Sequence, residues 1–220
     1  MVDVRGSVND SVAIISASQK VKGYTFFMEL RKQKNVVIPE GVQVFGGQWF
    51  IDSTIENVII PVSVTEISRE AFYNCKSLKS IIFAPGSKLE QIRTGAFRNT
   101  RIESVTIPSS VVEIQESAFD GCESLKEVMF EERSKLEKIG SACFRDTEIE
   151  KIVIPKGVEE IQDSAFRDCK NLREVVFEAG SVLKKIGNHA LFGCNTWEEA
   201  VFSESAIETV TLSSTLKRLE

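Results

Sequence analysis

Five cysteines and one histidine are the side chains of this chain best suited to metal binding or nucleophilic chemistry. Cys75, Cys122 and Cys169 follow one another at a constant interval, and Cys194 follows Cys169 at a shorter one. A zinc site would need closely spaced Cys pairs together with His, and the sequence contains no C-x-x-C motif. Disulfides are disfavoured because equivalent cysteines are one or two repeats apart. We therefore expect buried free thiols, with Cys143 in a neighbouring position that other units fill with alanine.

The single histidine, His189, precedes Ala190 in a turn where related units carry Ser117, Ser141 or Ser164. We expect this position to be exposed. Catalysis by His189 would need a nucleophile and an orienting acid that converge on it, and the pattern supplies neither. The phosphate-binding motifs G-x-x-x-x-G-K-S/T and G-x-G-x-x-G do not occur. The sequence therefore predicts a protein that is not an enzyme and that has no cofactor or metal site.

An apolar anchor recurs along the chain, and its residue number increases alternately by 22 and by 25. The anchors are Phe50, Phe72, Phe97, Phe119, Phe144, Phe166 and Leu191. The dipeptide Ile-Pro recurs at every second step, at 60–61, 107–108 and 154–155. Such self-similarity is typical of a solenoid, in which each unit is too small to bury its own apolar face and therefore stacks on its neighbours.

Each unit begins with a short strand. Ile102, Val105 and Ile107 have the spacing of such a strand, and Pro108 ends it because proline has no amide proton. A second short apolar segment follows, and residues 118–125 then have the spacing of one helical turn. The equivalent strands along the chain are Val36–Ile38, Ile55–Ile60, Leu78–Phe83, Ile102–Ile107, Leu125–Phe130, Ile149–Ile154, Leu172–Phe177 and Trp197–Phe202.

The sequence at 107–130, Ile-Pro-x-x-Val-x-x-Ile-x-x-x-Ala-Phe-x-x-Cys-x-x-Leu-x-x-Val-x-Phe, resembles the BspA-type leucine-rich repeats of bacterial surface proteins and of large protist families. The match recurs at 60–83 and 154–177, and the resemblance covers about residues 36–219. It implies an α/β solenoid: a right-handed superhelix with a parallel β-sheet on its concave face and short strands or helical turns on its outer face. It also implies a binding role, often in adhesion, without shared catalytic residues.

Three regions follow from the repeats. Residues 1–30 lack the pattern, and we expect them to form an N-terminal cap over the core of the first coil. Leucine-rich repeats that alternate between the two lengths, 22 and 25, occupy 31–202. Residues 203–220 restart the pattern too soon to close a full coil, so we expect an irregular or truncated repeat. This open end suggests an alternative function, that of a structural spacer or self-assembly segment, and a monomer or weak homodimer joined through the C-terminal end.

The outward-facing position of each predicted strand is apolar almost throughout. This apolar row is Val37, Ile59, Ile82, Thr106, Met129, Val153, Val176 and Val201. A sheet that faces water on one side normally alternates apolar and polar residues. The row therefore has two explanations: the preference of β-branched residues for strands, or a protein-binding stripe on the concave face.

Beside the apolar row runs a charged row whose sign alternates. Its members are Glu56, Lys79, Glu103, Lys126, Glu150, Arg173 and Glu198. We expect a ladder of ion pairs that holds the register, each worth about 0.2–1 kcal/mol, and a ligand of matching charge spacing is the alternative. Together the two rows give the predicted partner-binding residues, which are Ile59, Lys79, Ile82, Lys126, Met129, Glu150, Val153, Arg173 and Val176.

The composition fits a soluble folded protein, and the resemblance implies a protein partner, such as a host or extracellular-matrix protein. The net charge is -5, and Lys and Arg are interleaved with acidic residues, whereas nucleic acid requires a basic stripe. No apolar run approaches the roughly 20 residues that span a bilayer, and the first residues lack a signal-peptide core. The resemblance implies the cell surface or secretion, while unpaired thiols and the missing signal favour the cytoplasm.

Overall fold

The computed structural model describes residues 30–47 and 49–194 in full, and the backbone alone of residues 12–14 and 211–212. Several predicted features therefore lie wholly or almost wholly outside the described residues. They are the cap at 1–30, the strand Trp197–Phe202 with Val201 and Glu198, and the repeat at 203–220. The strands are β1 (Val12–Ile14), β2 (Asn35–Val37), β3 (Val44–Phe45), β4 (Asn57–Ile60), β5 (Glu66–Ile67), β6 (Ser80–Phe83), β7 (Gln91–Ile92), β8 (Ser104–Ile107), β9 (Glu113–Ile114), β10 (Glu127–Phe130), β11 (Lys138–Ile139), β12 (Lys151–Ile154), β13 (Glu160–Ile161), β14 (Glu174–Phe177), β15 (Lys185–Ile186) and β16 (Thr211–Leu212).

Two sides of each coil are parallel sheets. Strands β1-β2-β4-β6 and β8-β10-β12-β14 form two four-stranded sheets, which together we call the long-strand face. The two-residue strands form one eight-stranded sheet in the order β3-β5-β7-β9-β11-β13-β15-β16, the short-strand face. Equivalent residues are in register, so that Thr106 pairs with Met129 and Val153 with Val176. The predicted solenoid with a parallel sheet is confirmed.

The third side of each coil is a stack of turns, where a helical turn was predicted for residues 118–125. Ser117 has a φ of 55° and Gly121 a φ of 68°, values that a right-handed helix cannot contain. Each turn closes on itself and bonds to the next coil: the amide of Phe119 donates to the carbonyl of Cys143 at 2.8 Å. Among the described residues only Leu30 is helical, so the expected α/β description gives way to a β-solenoid.

The predicted anchors form a continuous aromatic stack through the core. From Phe72 to Phe166, consecutive phenylalanine rings have centroids 5.1–5.4 Å apart and planes within 18° of parallel. All of these rings are buried. Stacked aromatic pairs contribute about 0.5–1.5 kcal/mol beyond their area burial, so the stack links each coil to the next from Phe72 to Phe166. Phe45, which was not predicted as an anchor, joins the stack against Phe50 and Phe72.

The long-strand face is built from pairs of coils. β4 pairs with β6, β8 with β10, and β12 with β14 over all four residues of each strand. The residue after the second strand of a pair donates its amide to the end of the first strand, as Glu131 does to the carbonyl of Ile107 at 3.0 Å. The first is followed by Pro61, Pro108 or Pro155, which have no amide proton to donate. Accordingly β10 and β12 register over two residues only, and within residues 49–194 no ladder joins β6 to β8.

Candidate functional site

The apolar row predicted from the sequence lies on the long-strand face and is exposed in its middle. Ile82, Met129 and Val153 expose 45%, 43% and 39% of their surface, whereas Ile59 and Val176 are half-buried. On each strand, the residues immediately before and after them point toward the core. Because side chains alternate between the two sides of a strand, these side chains face outward. Apolar side chains that are exposed side by side on one face are typical of interaction surfaces.

The ion-pair ladder predicted for the charged row is wrong for the described coils. Only Lys34 and Glu56, at the start of the row, form an ion pair, at 3.0 Å. Within residues 49–194 the next five members form none within 4.0 Å and are all exposed: Lys79, Glu103, Lys126, Glu150 and Arg173. Ordering two long surface side chains costs rotamer entropy that a solvent-screened contact seldom offsets. The row therefore presents five alternating charges to the solvent.

Ion pairs between coils form instead at positions inside the strands. Lys151 Nζ lies 2.8 Å from Glu174 Oε1 on the long-strand face. On the short-strand face, Lys185 Nζ lies 2.8 Å from Glu160 Oε1. In both cases the two residues are partners in the ladder register. Charge thus supports the register through in-strand pairs, which leaves the predicted charged row available for contacts with another molecule.

A groove opens on the long-strand face where β6 and β8 do not pair. The coils are still joined just before the strands, where the amide of Arg101 donates to Leu78 at 3.0 Å and that of Glu103 donates to Lys79 at 3.3 Å. The groove has a volume of about 640 Å³. It is lined by Lys79, Ser80, Ile81, Ile82, Phe83, Pro85, Glu103, Ser104, Val105, Thr106 and Glu131. The predicted binding residues Lys79 and Ile82 therefore form part of a concave feature.

The turn side carries a buried charge cluster that the sequence reasoning missed. Asp120 is only 2% exposed and accepts hydrogen bonds from Arg145 Nε at 2.9 Å and Arg145 Nη2 at 2.7 Å. Arg98 Nε lies 3.0 Å from the same carboxylate. The hydrogen bonds to Asp120 raise the pKa of Arg145. A sequence signal existed, because the positions after the four successive anchors from Phe97 to Phe166 read Arg98, Asp120, Arg145 and Arg167, and the single acid stands between two arginines.

A polar cleft of about 710 Å³ adjoins this cluster. It is lined by side chains of both signs, among them Arg98, Glu123, Asp146, Asp168 and Lys170. Burial and, secondly, the charge of Asp168 raise the pKa of Asp146. Throughout residues 30–47 and 49–194, no three His, Cys, Asp or Glu side chains are arranged to hold a metal ion. The same residues include no helix with the length and hydrophobicity to span a membrane.

The predicted row of buried cysteines is confirmed. Cys75, Cys122, Cys169 and Cys194 all lie inside the turn side of the coil, 3% exposed or less. Each thiol donates to a carbonyl of the preceding coil, as Cys122 Sγ does to Phe97 O at 3.1 Å. Burial raises the pKa of Cys122 to about 12. This thiol therefore stays protonated at neutral pH and is a poor nucleophile.

His189 is exposed, as predicted, but its equivalence to Ser141 is wrong. The left-handed turn residues recur at Ser117, Ala142, Ser164 and His189, with φ between 50° and 59°. Ser141 lies one residue before this position. The error arose because a serine precedes Ala142, and the residue type alone does not show which residue of the turn has a positive φ. The His189 ring lies edge-on to Phe192, with centroids 5.5 Å apart.

The repeats match those of a known family. The profile of the BspA type leucine rich repeat region matches this sequence in six copies, over residues 9–126 and 90–208. The chain belongs to the BspA-type leucine-rich-repeat family. Repeats of this family generally act as protein-interaction or adhesion modules, and its members are typically not enzymes. None of the curated proteins matches the chain.

Two solved structures, of a T. pallidum protein and of a pneumococcal antigen, show the same fold. A leucine-rich-repeat protein of T. pallidum is 28% identical, with a TM-score of 0.64 over 76% of this chain and 78% of that one. The pneumococcal vaccine antigen PcpA is 22% identical, with a TM-score of 0.56 over 76% of this chain and 59% of that one. A leucine-rich cell surface protein of Faecalibacterium prausnitzii is 25% identical, with a TM-score of 0.49, over 67% and 48%. The BspA-type chain thus spans about half to three fifths of the length of these last two.

Proposed function

We propose that this BspA-type chain is a non-enzymatic module that binds a protein partner on its long-strand face, and that this face is the concave side of the solenoid. The observation that carries the proposal is the exposure, in one line, of Ile82, Met129 and Val153. From β4 to β14 the face extends over six strands, about 24 Å at about 4.8 Å per step. This length suits a folded domain or an extended segment of a partner protein.

The two rows have different roles in this proposal. Burial of the apolar row provides the affinity, with Met129 at its centre because a flexible thioether adapts to varied surfaces. The charged row provides selectivity and steers association, since its members between residues 79 and 173 are exposed and form no ion pair that binding would have to break. Lys79, Lys126, Glu150 and Arg173 are the flanking residues that we assign to this role.

The groove between β6 and β8 offers a pocket for an anchoring side chain of the partner. It is lined by Ile82, which is more exposed than Met129 and Val153. Interfaces concentrate their energy where a side chain enters a well-packed, desolvated pocket. We therefore propose that the partner's main anchor contacts Ile82 and Thr106, and that Met129 and Val153 extend the contact along the stack.

The proposed location is the cell surface or the extracellular space, with a host or matrix protein as partner. Membership of the BspA-type family supports this location. The alternative of a spacer or self-assembly segment rests on residues 203–220, which fall almost wholly outside the described residues. A strictly monomeric chain over a wide concentration range in light scattering would remove that alternative.

Capture from host extracts with charge-substituted variants tests the proposal. We expect the wild-type chain to retain a partner that the double variant Met129→Glu/Val153→Lys does not. Val44→Lys/Val182→Glu is the matched control, because it introduces the same two charges at exposed apolar residues outside the long-strand face. Equal capture by both double variants, with both folded by circular dichroism, would contradict binding through this face.

A further inference from the structure

The row of buried thiols alternates with hydroxyls until its last member. In chain order the row reads Ser53, Cys75, Thr100, Cys122, Thr147, Cys169 and Cys194. Each hydroxyl contacts the thiol of the following coil, with oxygen–sulfur distances of 3.2, 3.2 and 3.1 Å. The alternation would place a hydroxyl after Cys169, and the chain has Cys194 there instead. At this point of the row, two thiols therefore occupy adjacent coils.

Cys169 and Cys194 are in register. The amide of Asp168 donates to the carbonyl of Phe192 at 2.7 Å, which aligns the turns of the two adjacent coils. Both thiols have the same orientation, since each donates to a carbonyl of the preceding coil at 3.0 Å. Neighbours in a parallel ladder lie about 4.8 Å apart, inside the roughly 4.4–6.8 Å between Cα atoms that a disulfide requires. The spacing argument against disulfides holds for the cysteines that are two coils apart, but it does not hold for this pair.

We propose that Cys169 and Cys194 are an oxidisable pair that closes a disulfide between adjacent coils by exchange with a low-molecular-weight disulfide such as oxidised glutathione. The Cys169 thiolate attacks one sulfur of the oxidant, whose disulfide breaks and releases one thiolate. Cys194 then loses its proton to solvent and attacks the Cys169 sulfur of the mixed disulfide, which releases the second thiolate. Two protein thiols are oxidised and one external disulfide is reduced to two thiols.

The electrostatics of the pair assign the order of attack. Contact with the Cys194 thiol lowers the pKa of Cys169, whereas burial raises the pKa values of Cys75, Cys122 and Cys143. Contact with Cys169 raises the pKa of Cys194. Because the thiolate is the attacking species in exchange, Cys169 is the more readily activated member of the pair. The bond would fasten the coil of Leu191 to its neighbour, and it would form in the oxidising environment of the cell surface.

Thiol mapping of the full chain tests this proposal. The protein is incubated over a series of ratios of oxidised to reduced glutathione, quenched with iodoacetamide, and analysed by mass spectrometry intact and after non-reducing digestion. We expect the loss of two hydrogen atoms and a cross-linked peptide that joins Cys169 to Cys194. Cys194→Thr restores the hydroxyl found at Thr100 and Thr147, so we expect this variant to remain folded and to form no cross-link.

Thermal unfolding supplies a second readout. Oxidation is expected to raise the melting temperature of the wild type and to leave that of Cys194→Thr unchanged. The proposal would be overturned if all five thiols were alkylated at ratios that oxidise a reference dithiol peptide. It would equally be overturned by a glutathione adduct that does not resolve, or by a cross-link between Cys122 and Cys143 as the main product.

Discussion

Arg145 holds the carboxylate of Asp120 with two hydrogen bonds, of 2.9 Å and 2.7 Å, that connect neighbouring coils of the solenoid. The carboxylate is 3% exposed, and Arg98 approaches it from the coil on the other side. A single buried acid therefore connects three successive coils. This arrangement differs from the surface pairs of the two sheets, in which both partners are in contact with water.

Asp120→Ala is expected to lower the free energy of unfolding by about 1.5–3 kcal/mol, the range for hydrogen bonds to charged groups. Removing the acid leaves Arg98 and Arg145 beside each other without a counter-charge. Urea denaturation measures the loss. Glu159→Ala is the matched control, since it removes an exposed pair with Lys184 that is also 2.8 Å long, and it should cost less than about 1 kcal/mol. Equal losses in the two variants would show that the buried cluster contributes nothing special.

Phe119→Ala is expected to cost about 3–5 kcal/mol, as for other large buried aromatic side chains. The ring stacks on Phe97 at 5.1 Å and on Phe144 at 5.4 Å, so its removal leaves a cavity that interrupts the stack. Because coils are stabilised through their neighbours, we also expect the unfolding transition to broaden or to split. A loss below about 1 kcal/mol with an unchanged transition would contradict the role given to the anchors. Glu103→Ala, an exposed change in the same coil, provides the comparison.

Hydrogen exchange should reveal the interrupted ladder. Thr106 lies at the unpaired boundary of β8, whereas Met129 occupies the equivalent position of β10 and is paired with β8. We expect the Thr106 amide to exchange about fivefold faster than that of Met129, which corresponds to one hydrogen bond of about 1 kcal/mol. Equal protection at the two positions, measured by NMR on the native chain, would mean that β6 and β8 pair in solution and that the groove is closed.

Alkaline pH should weaken the fold through the buried thiols. Burial raises the pKa of Cys122 from 9.0 to about 12, so the folded state keeps a proton that the unfolded state loses above about pH 9. The contribution of this thiol to the free energy of unfolding is therefore fully present below about pH 9. Above that pH it falls by up to about 1.4 kcal/mol per pH unit. Urea midpoints between pH 7 and pH 10.5 should therefore decline less steeply for Cys122→Ala than for the wild type. Parallel curves would contradict the assignment.

The sequence was sufficient to predict the coil and its register. The two alternating steps between anchors placed Phe72 and Phe119 in one stack and Met129 on the outward side of its strand, because periodicity and side-chain alternation are local properties. It did not predict the turn geometry. Which residue takes a positive φ depends on how the turn bonds to the next coil, and for that reason Ala142 was missed and a helical turn was expected at 118–125.

Contacts between side chains and strands of neighbouring coils were harder to predict from the sequence. The alternating signs of Lys79 and Glu103 suggested an ion-pair ladder, yet exposed side chains gain too little from such contacts to become ordered. The loss of pairing between β6 and β8 was likewise not anticipated, although Pro108 was recognised as the end of its strand. The missing amide proton interrupts a bond to the preceding coil, and this consequence becomes visible only when the coils are stacked.

Calorimetric titration of the captured partner tests the central claim most directly. We expect Met129→Glu/Val153→Lys to raise the Kd by a factor of about 100 or more, since hot-spot residues cost at least about 2 kcal/mol each. Val44→Lys/Val182→Glu should leave the Kd within a factor of about three of the wild type. A Kd that is unchanged by charges on the long-strand face, or one that rises only with the control variant, would contradict binding through the exposed apolar row.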